Sequence, residues 1–364
     1  MSMLHDLADV GQSVWLDYIR RQILDNGELD SMISDGLRGL TSNPTIFHQA
    51  IAGSDDYDSA ISAYLIEHPE ASVEEVYEHL AVADIQRAAD AFAGVYEETD
   101  GLDGYVSLEV SPHLAHDTET TISEAKRLWG VVDRPNLMVK VPATPAGIPA
   151  IAELIGSGIN INATLMFSMD HYEAVAQAYL DGLTNVADPH RVASVASFFV
   201  SRVDSKIDAM LEKIGTDEAM ALRGTVAVAN SRSVYHRYQQ IFEGDDFARL
   251  RTDGARPQRV LWASTSTKNP EYDDLLYVEP LIGSETVNTL PPATLEALVD
   301  HGTVTAGAVL DDPDGVFETL DMLVDVGVDL DQATEELQVE GVQKFAASFD
   351  ELMSALAAEI ERLR

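Results

Sequence analysis

The chain has 364 residues, 46% of them hydrophobic, enough to bury a large core within one closed α/β domain. Its 62 Asp and Glu against 23 Lys and Arg give a formal charge of −39, a surface that repels nucleic-acid phosphates and anionic lipid. The absence of cysteine excludes disulfides, thiolate metal sites and thiol catalysis. The first fifteen residues lack a basic n-region, and no apolar run approaches the ~20 residues of a membrane helix. A soluble, cytoplasmic protein without nucleic-acid or membrane partners is expected.

Strand-like runs lie at 13–19, 38–43, 105–110, 137–141, 160–167, 192–200, 260–264 and 276–282, with helical patterns between them. Pro44, Pro145 and Asp170 mark helix starts just past strand ends, and Ser72 with Glu75 forms a capping box. Eight strands alternating with helices predict an α/β fold, a (β/α)8 TIM barrel. An open doubly wound sheet is the runner-up, weakened because no Gly-x-Gly-x-x-Gly follows the first strand. A single domain over 1–364 is expected, with helical insertions near 53–100 and 205–258 and a helical tail near 291–364.

Lys140 is the one lysine of six that falls inside a strand. In Leu137-Met138-Val139-Lys140-Val141 the period-2 alternation sets Leu137, Val139 and Val141 on one face and Lys140 on the other. If the apolar face meets the helices, Lys140 enters the barrel, where desolvation favours a neutral amine able to attack a carbonyl. A buried scaffold ion pair explains a strand lysine about equally well. The other strands tip the balance. Asp17, Thr41 with Asn43, Glu109, Asn162 with Thr164, and Ser197 with Phe199 all take the inward phase near strand C-termini, and Arg202 follows the sixth strand. Such a set suits imine chemistry. Glu109 and Thr164 flank Lys140 and could hold a water, Asp17 could accept a hydroxyl proton, Asn43 and Asn162 could bind hydroxyls, and Arg202 could bind phosphate.

Four segments then resemble one family. Thr41-Ser42-Asn43-Pro44-Thr45, the lysine strand 137–144, Asn160-Ile161-Asn162-Ala163-Thr164-Leu165-Met166-Phe167 and Ser197-Phe198-Phe199-Val200-Ser201-Arg202 resemble, in order, the motif series of the transaldolases. The resemblance runs from Asp17 to about Pro292, some three-quarters of the chain, and its spacing is more like the longer bacterial subfamily. It implies a class I aldolase-type barrel passing a dihydroxyacetone unit from sedoheptulose 7-phosphate to glyceraldehyde 3-phosphate, in the pentose phosphate pathway and without a cofactor or metal. By matching position, Lys140 would be the Schiff-base lysine, Glu109 and Thr164 the water-holding pair, and Asp17 the acid/base. Thr41, Asn43, Asn162, Ser197, Phe199 and Arg202 would line the substrate site. Where the shorter enzymes carry Ser-x-Arg, this chain reads Ser264-Thr265-Ser266-Thr267-Lys268. Ser264 or Ser266 would match the serine, and Lys268 would replace the arginine. A Schiff-base fructose 6-phosphate aldolase and a non-catalytic sugar-phosphate-binding barrel are the alternatives.

His113, His116 and Asp117 are too few for a metal centre and read as surface residues. The apolar stripe at 345–363 reads as core packing or as a subunit contact, which leaves room for a homodimer. The charge of −39 exceeds what solubility requires and predicts a salt-adapted protein, because self-repulsion sums over the whole surface while the Debye length shrinks from ~10 Å at 0.1 M to ~3 Å at 1 M. The melting temperature is therefore expected to rise between about 0.1 and about 2 M KCl. A flat profile would mean an acidic protein whose dispersed charges need no screening.

Overall fold

The computed structural model describes residues 2–364, the side chain of Asp246 excepted. Its strands are β1 (Gln12–Asp17), β2 (Gly39–Thr41), β3 (Tyr105–Glu109), β4 (Leu137–Pro142), β5 (Ile161–Met166), β6 (Ser194–Phe199), β7 (Arg259–Ala263) and β8 (Thr286–Leu290). They follow one another around a closed barrel, and β8 returns to pair with β1 in parallel. The expected eight-stranded (β/α) barrel is the fold. No helix among the described residues is long and apolar enough to cross a membrane.

Local chemistry sets the helix starts. Asn43 caps helix Pro44–Ala52 by accepting from the Ile46 N–H, with Pro44 in the first turn, where its missing N–H costs nothing. The capping box of Ser72 and Glu75 opens helix Val73–Ala91. Ser168 caps Met169–Leu183, and Thr144 accepts from Gly147 N, so the helix after β4 begins at Gly147, two residues beyond Pro145.

The eighth strand corrects the sequence reading. The run at 276–282 is apolar because Val278, Leu281 and Ile282 are buried, but it forms a connection with a 3-10 turn at Glu279–Leu281. Pro280 has no N–H for a ladder, and the Leu281 carbonyl instead accepts from the side chains of Gln12 and Trp262. The true strand, Thr286–Leu290, alternates Val287 and Thr289 with Thr286 and Asn288, polar enough to pass for a loop.

Outward residues such as Leu108, Val139, Val141 and Ala163 are buried against the helices. Inward residues fill the barrel in layers. At mid-height Gly39 is required by contact alone, because a Cβ there would come 2.7 Å from the Trp15 ring. The N-terminal end is closed by polar groups. Arg259 pairs with Asp103 at 3.0 Å, donates to the Thr286 carbonyl at 2.7 Å and to Ser13 Oγ at 2.6 Å, and Ser13 donates to Asp103 at 2.9 Å. Arg259 and Asp103 are 5% exposed, so each charge depends on the other. Breaking such a pair costs about 3–5 kcal/mol, whereas replacing both partners with apolar groups of similar volume is often neutral. Asp103→Ala is therefore expected to lower urea stability by roughly that amount, and Asp103→Leu combined with Arg259→Met to restore most of it. Equal losses in both proteins would show that the pair is not what closes the barrel floor.

Candidate active site

At the C-terminal ends of the strands the interior opens into a cavity of about 280 Å³. Strand register explains who meets whom. Glu109 aligns with Lys140, Lys140 with Asn162, and Asp17 with Thr41, so each pair projects on the same side of the sheet. Asp17, Thr41, Asn43, Lys140, Thr164 and Ser197 all reach the cavity wall.

Lys140 is buried, with Nζ 3.1 Å from the Ser42 carbonyl and 3.8 Å from Glu109 Oε2. An ammonium carries three donors, and among the described residues only the Ser42 carbonyl lies at hydrogen-bond distance. Burial pushes the Glu109 carboxyl up to about 7, against the pull of the Lys140 charge and with the repulsion of Asp17. A group poised there can give and take a proton near neutrality. Glu109 Oε2 and Thr164 Oγ1, on the strands to either side of Lys140, are both buried without a hydrogen-bond partner among the described residues. Such orphaned polar atoms are rare in folded cores and mark a place where a small polar molecule would be held.

Asp17 accepts a 2.7 Å hydrogen bond from Thr41 Oγ1. Asn43 spends its carbonyl oxygen on the helix cap and keeps its amide group towards the cavity. Asn162 departs from the expectation of a wall residue. It is fully buried, donating to Ser107 Oγ at 3.1 Å and accepting from Ser197 Oγ at 2.6 Å, so it braces β3, β5 and β6 beside Lys140.

The mouth is cationic. Arg202 lies over the Phe199 and Phe345 rings at 5.2 and 6.0 Å. Asp204, two residues on, accepts from Ala227 N and Tyr277 Oη and does not pair with Arg202. Lys268 donates to Ser266 Oγ, and both line the cavity, as does Ser264, whose Oγ lies 3.2 Å from Ser201 Oγ. Partial burial and the nearby Arg202 and Lys344 charges lower the Lys268 pKa. Among the described residues no carboxylate lies within ion-pair distance of Arg202, Lys268 or Lys344. In a chain this acidic, three unpaired cations on one rim form a site for a dianion.

Sequence reasoning missed Lys344 and Phe345, which the C-terminal helix Leu330–Leu363 delivers to the wall, and Gln338, which donates to the carbonyls of Ala143 and Leu165. One signal existed: Lys344 is the only base in that helix before Arg362. Leu165 stands at φ 63° beside an irregularity in the β5–β6 ladder, and Gln338 fixes that bend next to Thr164. The rest of the helical stripe, including Leu352, Leu356 and Ile360, is buried within the chain itself. Outside the site, His113 pairs with Asp350, and Asp117 caps helix Thr118–Val132.

Comparison with known proteins agrees with this geometry. Residues 14–356 match the family model described as Transaldolase/Fructose-6-phosphate aldolase. A transaldolase from Thermobifida fusca is 48% identical over 99% of this chain and 98% of its own length. Transaldolases from Mycolicibacterium smegmatis and Trichodesmium erythraeum are each 46% identical, over 98% and 99% of this chain and 96% and 98% of their own lengths. A buried strand lysine beside a carboxylate at the C-terminal end of a closed barrel, matched along nearly the whole chain, places this protein in the transaldolase/fructose-6-phosphate aldolase family.

Proposed function

We propose that this chain is a transaldolase that moves a dihydroxyacetone unit from sedoheptulose 7-phosphate to glyceraldehyde 3-phosphate, giving erythrose 4-phosphate and fructose 6-phosphate. The observation that carries the reading is Lys140, buried 3.8 Å from a carboxyl raised to about 7 and flanked by two orphaned oxygens. Lys140 attacks the ketose C2 carbonyl to give a carbinolamine. Glu109 protonates the departing hydroxyl, a water leaves, and an imine forms. The cationic nitrogen then draws electrons from the C3–C4 bond while Asp17 takes the proton of the C4 hydroxyl, and the aldehyde product departs. The three-carbon enamine stays on Lys140 until the acceptor aldehyde arrives, and the steps reverse. Thr41 holds Asp17 in place through its 2.7 Å hydrogen bond. Arg202, with Lys268 and Ser266, binds the phosphate at the mouth, which leaves the reacting carbons at the depth of Lys140.

Incubation with fructose 6-phosphate and borohydride should add one donor-derived mass to the peptide carrying Lys140, and Lys140→Ala and Lys140→Arg should abolish it, since a guanidinium stays protonated. Label on another lysine would overturn the assignment. Product analysis with and without acceptor separates transfer from aldol cleavage. Release of free dihydroxyacetone at the same rate in both cases would make the protein an aldolase.

Losing a charge-assisted phosphate pair costs roughly 2–4 kcal/mol. Arg202→Ala should therefore raise KM for sedoheptulose 7-phosphate by about thirtyfold or more, while imine trapping with unphosphorylated dihydroxyacetone stays nearly intact. Lys344→Ala, at an exposed position on the same rim, should raise that KM by only about two- to fivefold. Equal losses for both substrates in Arg202→Ala would make Arg202 a scaffold residue.

A further inference from the structure

A second cavity, of about 420 Å³, opens on the other side of Glu109. Lys140, Thr164 and Asp17 border only the substrate cavity, Glu109 borders the second one, and Asn43 touches both. Glu109 thus links the two spaces: it lines the second cavity and stands 3.8 Å from Lys140 Nζ, which lines the first. The second cavity runs between the ends of β2 and β3 and helices Val73–Ala91 and Thr118–Val132, and Tyr77 stands edge-on between Phe47 and Phe349 at 5.8 and 5.6 Å. Its outer end is polar, where Arg127 forks onto Glu78 and Glu124. Water needs room and several polar partners. The floor and flanks provide the partners in Glu109, Asn43, Ser111 and Tyr77, and the volume holds on the order of ten molecules at ~30 Å³ each.

We propose that this cavity is the water port of the Lys140 site. The inference rests on the imine chemistry proposed above. Dehydration breaks the carbinolamine C–O bond as the nitrogen lone pair forms C=N. The hydroxyl takes the Glu109 proton and leaves as one water, and a protonated imine remains beside the Glu109 carboxylate. The closing hydrolysis runs the same exchange backwards, water adding to the C=N carbon and returning its proton to Glu109. A seven-carbon phosphate stretched from Arg202 to Lys140 occupies the 280 Å³ cavity, so water passing through the mouth has to cross the bound sugar. Passage beside Glu109 does not. Such a port also lets hydrolytic water reach the imine carbon from the Glu109 side while the bound sugar keeps bulk water from the mouth.

The test compares oxygen exchange with imine formation. Enzyme and fructose 6-phosphate are mixed in ¹⁸O-water, label at C2 is followed by rapid quench and mass spectrometry, and imine formation is measured in parallel by borohydride trapping. In the native protein nearly every imine event should exchange the C2 oxygen with solvent. Val82→Trp, from the helix wall, and Ser111→Trp, from the opposite loop, should fill the port while leaving trapping and KM near native. Exchange per imine event should then fall about fivefold or more, because the expelled water is recaptured before it escapes. The pair is chosen so that the result does not hang on one helix tolerating a larger side chain. Unchanged exchange per imine event in either variant that still traps substrate overturns the port. No trapping and no exchange in the native protein would instead overturn the transfer reading on which it rests.

Discussion

An ammonium group inside a β-barrel is the constraint around which the rest of this structure is arranged. Lys140 is too far from Glu109 for a hydrogen bond and has one carbonyl, from Ser42, to satisfy three donors. A scaffold lysine this deep would be surrounded by acceptors at short range, because an unsatisfied buried charge is costly. Here the surroundings are instead spaced for a molecule to enter. Glu109 Oε2 and Thr164 Oγ1 are left unpaired on either side, and burial holds the Glu109 carboxyl near neutrality.

That constraint divides the barrel by height. The floor is closed by a buried ion pair, Arg259 with Asp103, tied to Ser13 and the Thr286 carbonyl. Large rings such as Trp15 fill the middle, and the C-terminal end opens into the cavity with Glu109 Oε2 and Thr164 Oγ1 unmatched beside Lys140. The same alternation that turns Val139 and Val141 towards the helices turns Lys140 inward, so the packing that stabilises the fold also aims the lysine. The C-terminal helix completes the end wall. Gln338 clamps the ends of β4 and β5 at a strained bend, and Lys344 and Phe345 reach the rim. A long helix outside the barrel motif is therefore part of the site.

Charge works on two scales. Over the whole molecule, 62 acidic residues against 23 basic ones set a repulsive background for anionic ligands. Within the mouth, Arg202, Lys268 and Lys344 stand together with no carboxylate in ion-pair range among the described residues, while most other arginines on the surface are paired. The local reversal of sign distinguishes this cavity from the rest of the molecule. The second cavity differs again, with apolar walls, a carboxylate floor and an acidic rim.

By itself the sequence determined the barrel and the inward phase of the site strands, Lys140 included, because period-2 alternation is a local property that any short strand displays. It failed at β8, where Pro280 and the buried carbonyl of Leu281 belong to an apolar connection, and the Thr- and Asn-bearing strand hides its apolar face. Asn162 is inward as its phase predicts, yet its hydrogen bonds with Ser107 and Ser197 make it a brace. Only the tertiary structure decided that Gln338 meets Ala143 nearly two hundred positions away, that Lys344 joins Arg202 and Lys268 on one rim, and that Glu109 lines a second cavity. Those facts depend on how a long helix returns across the barrel and how two helices diverge beside β3. Amphipathic periodicity fixes which face of a helix is buried, but not which distant groups that face will meet.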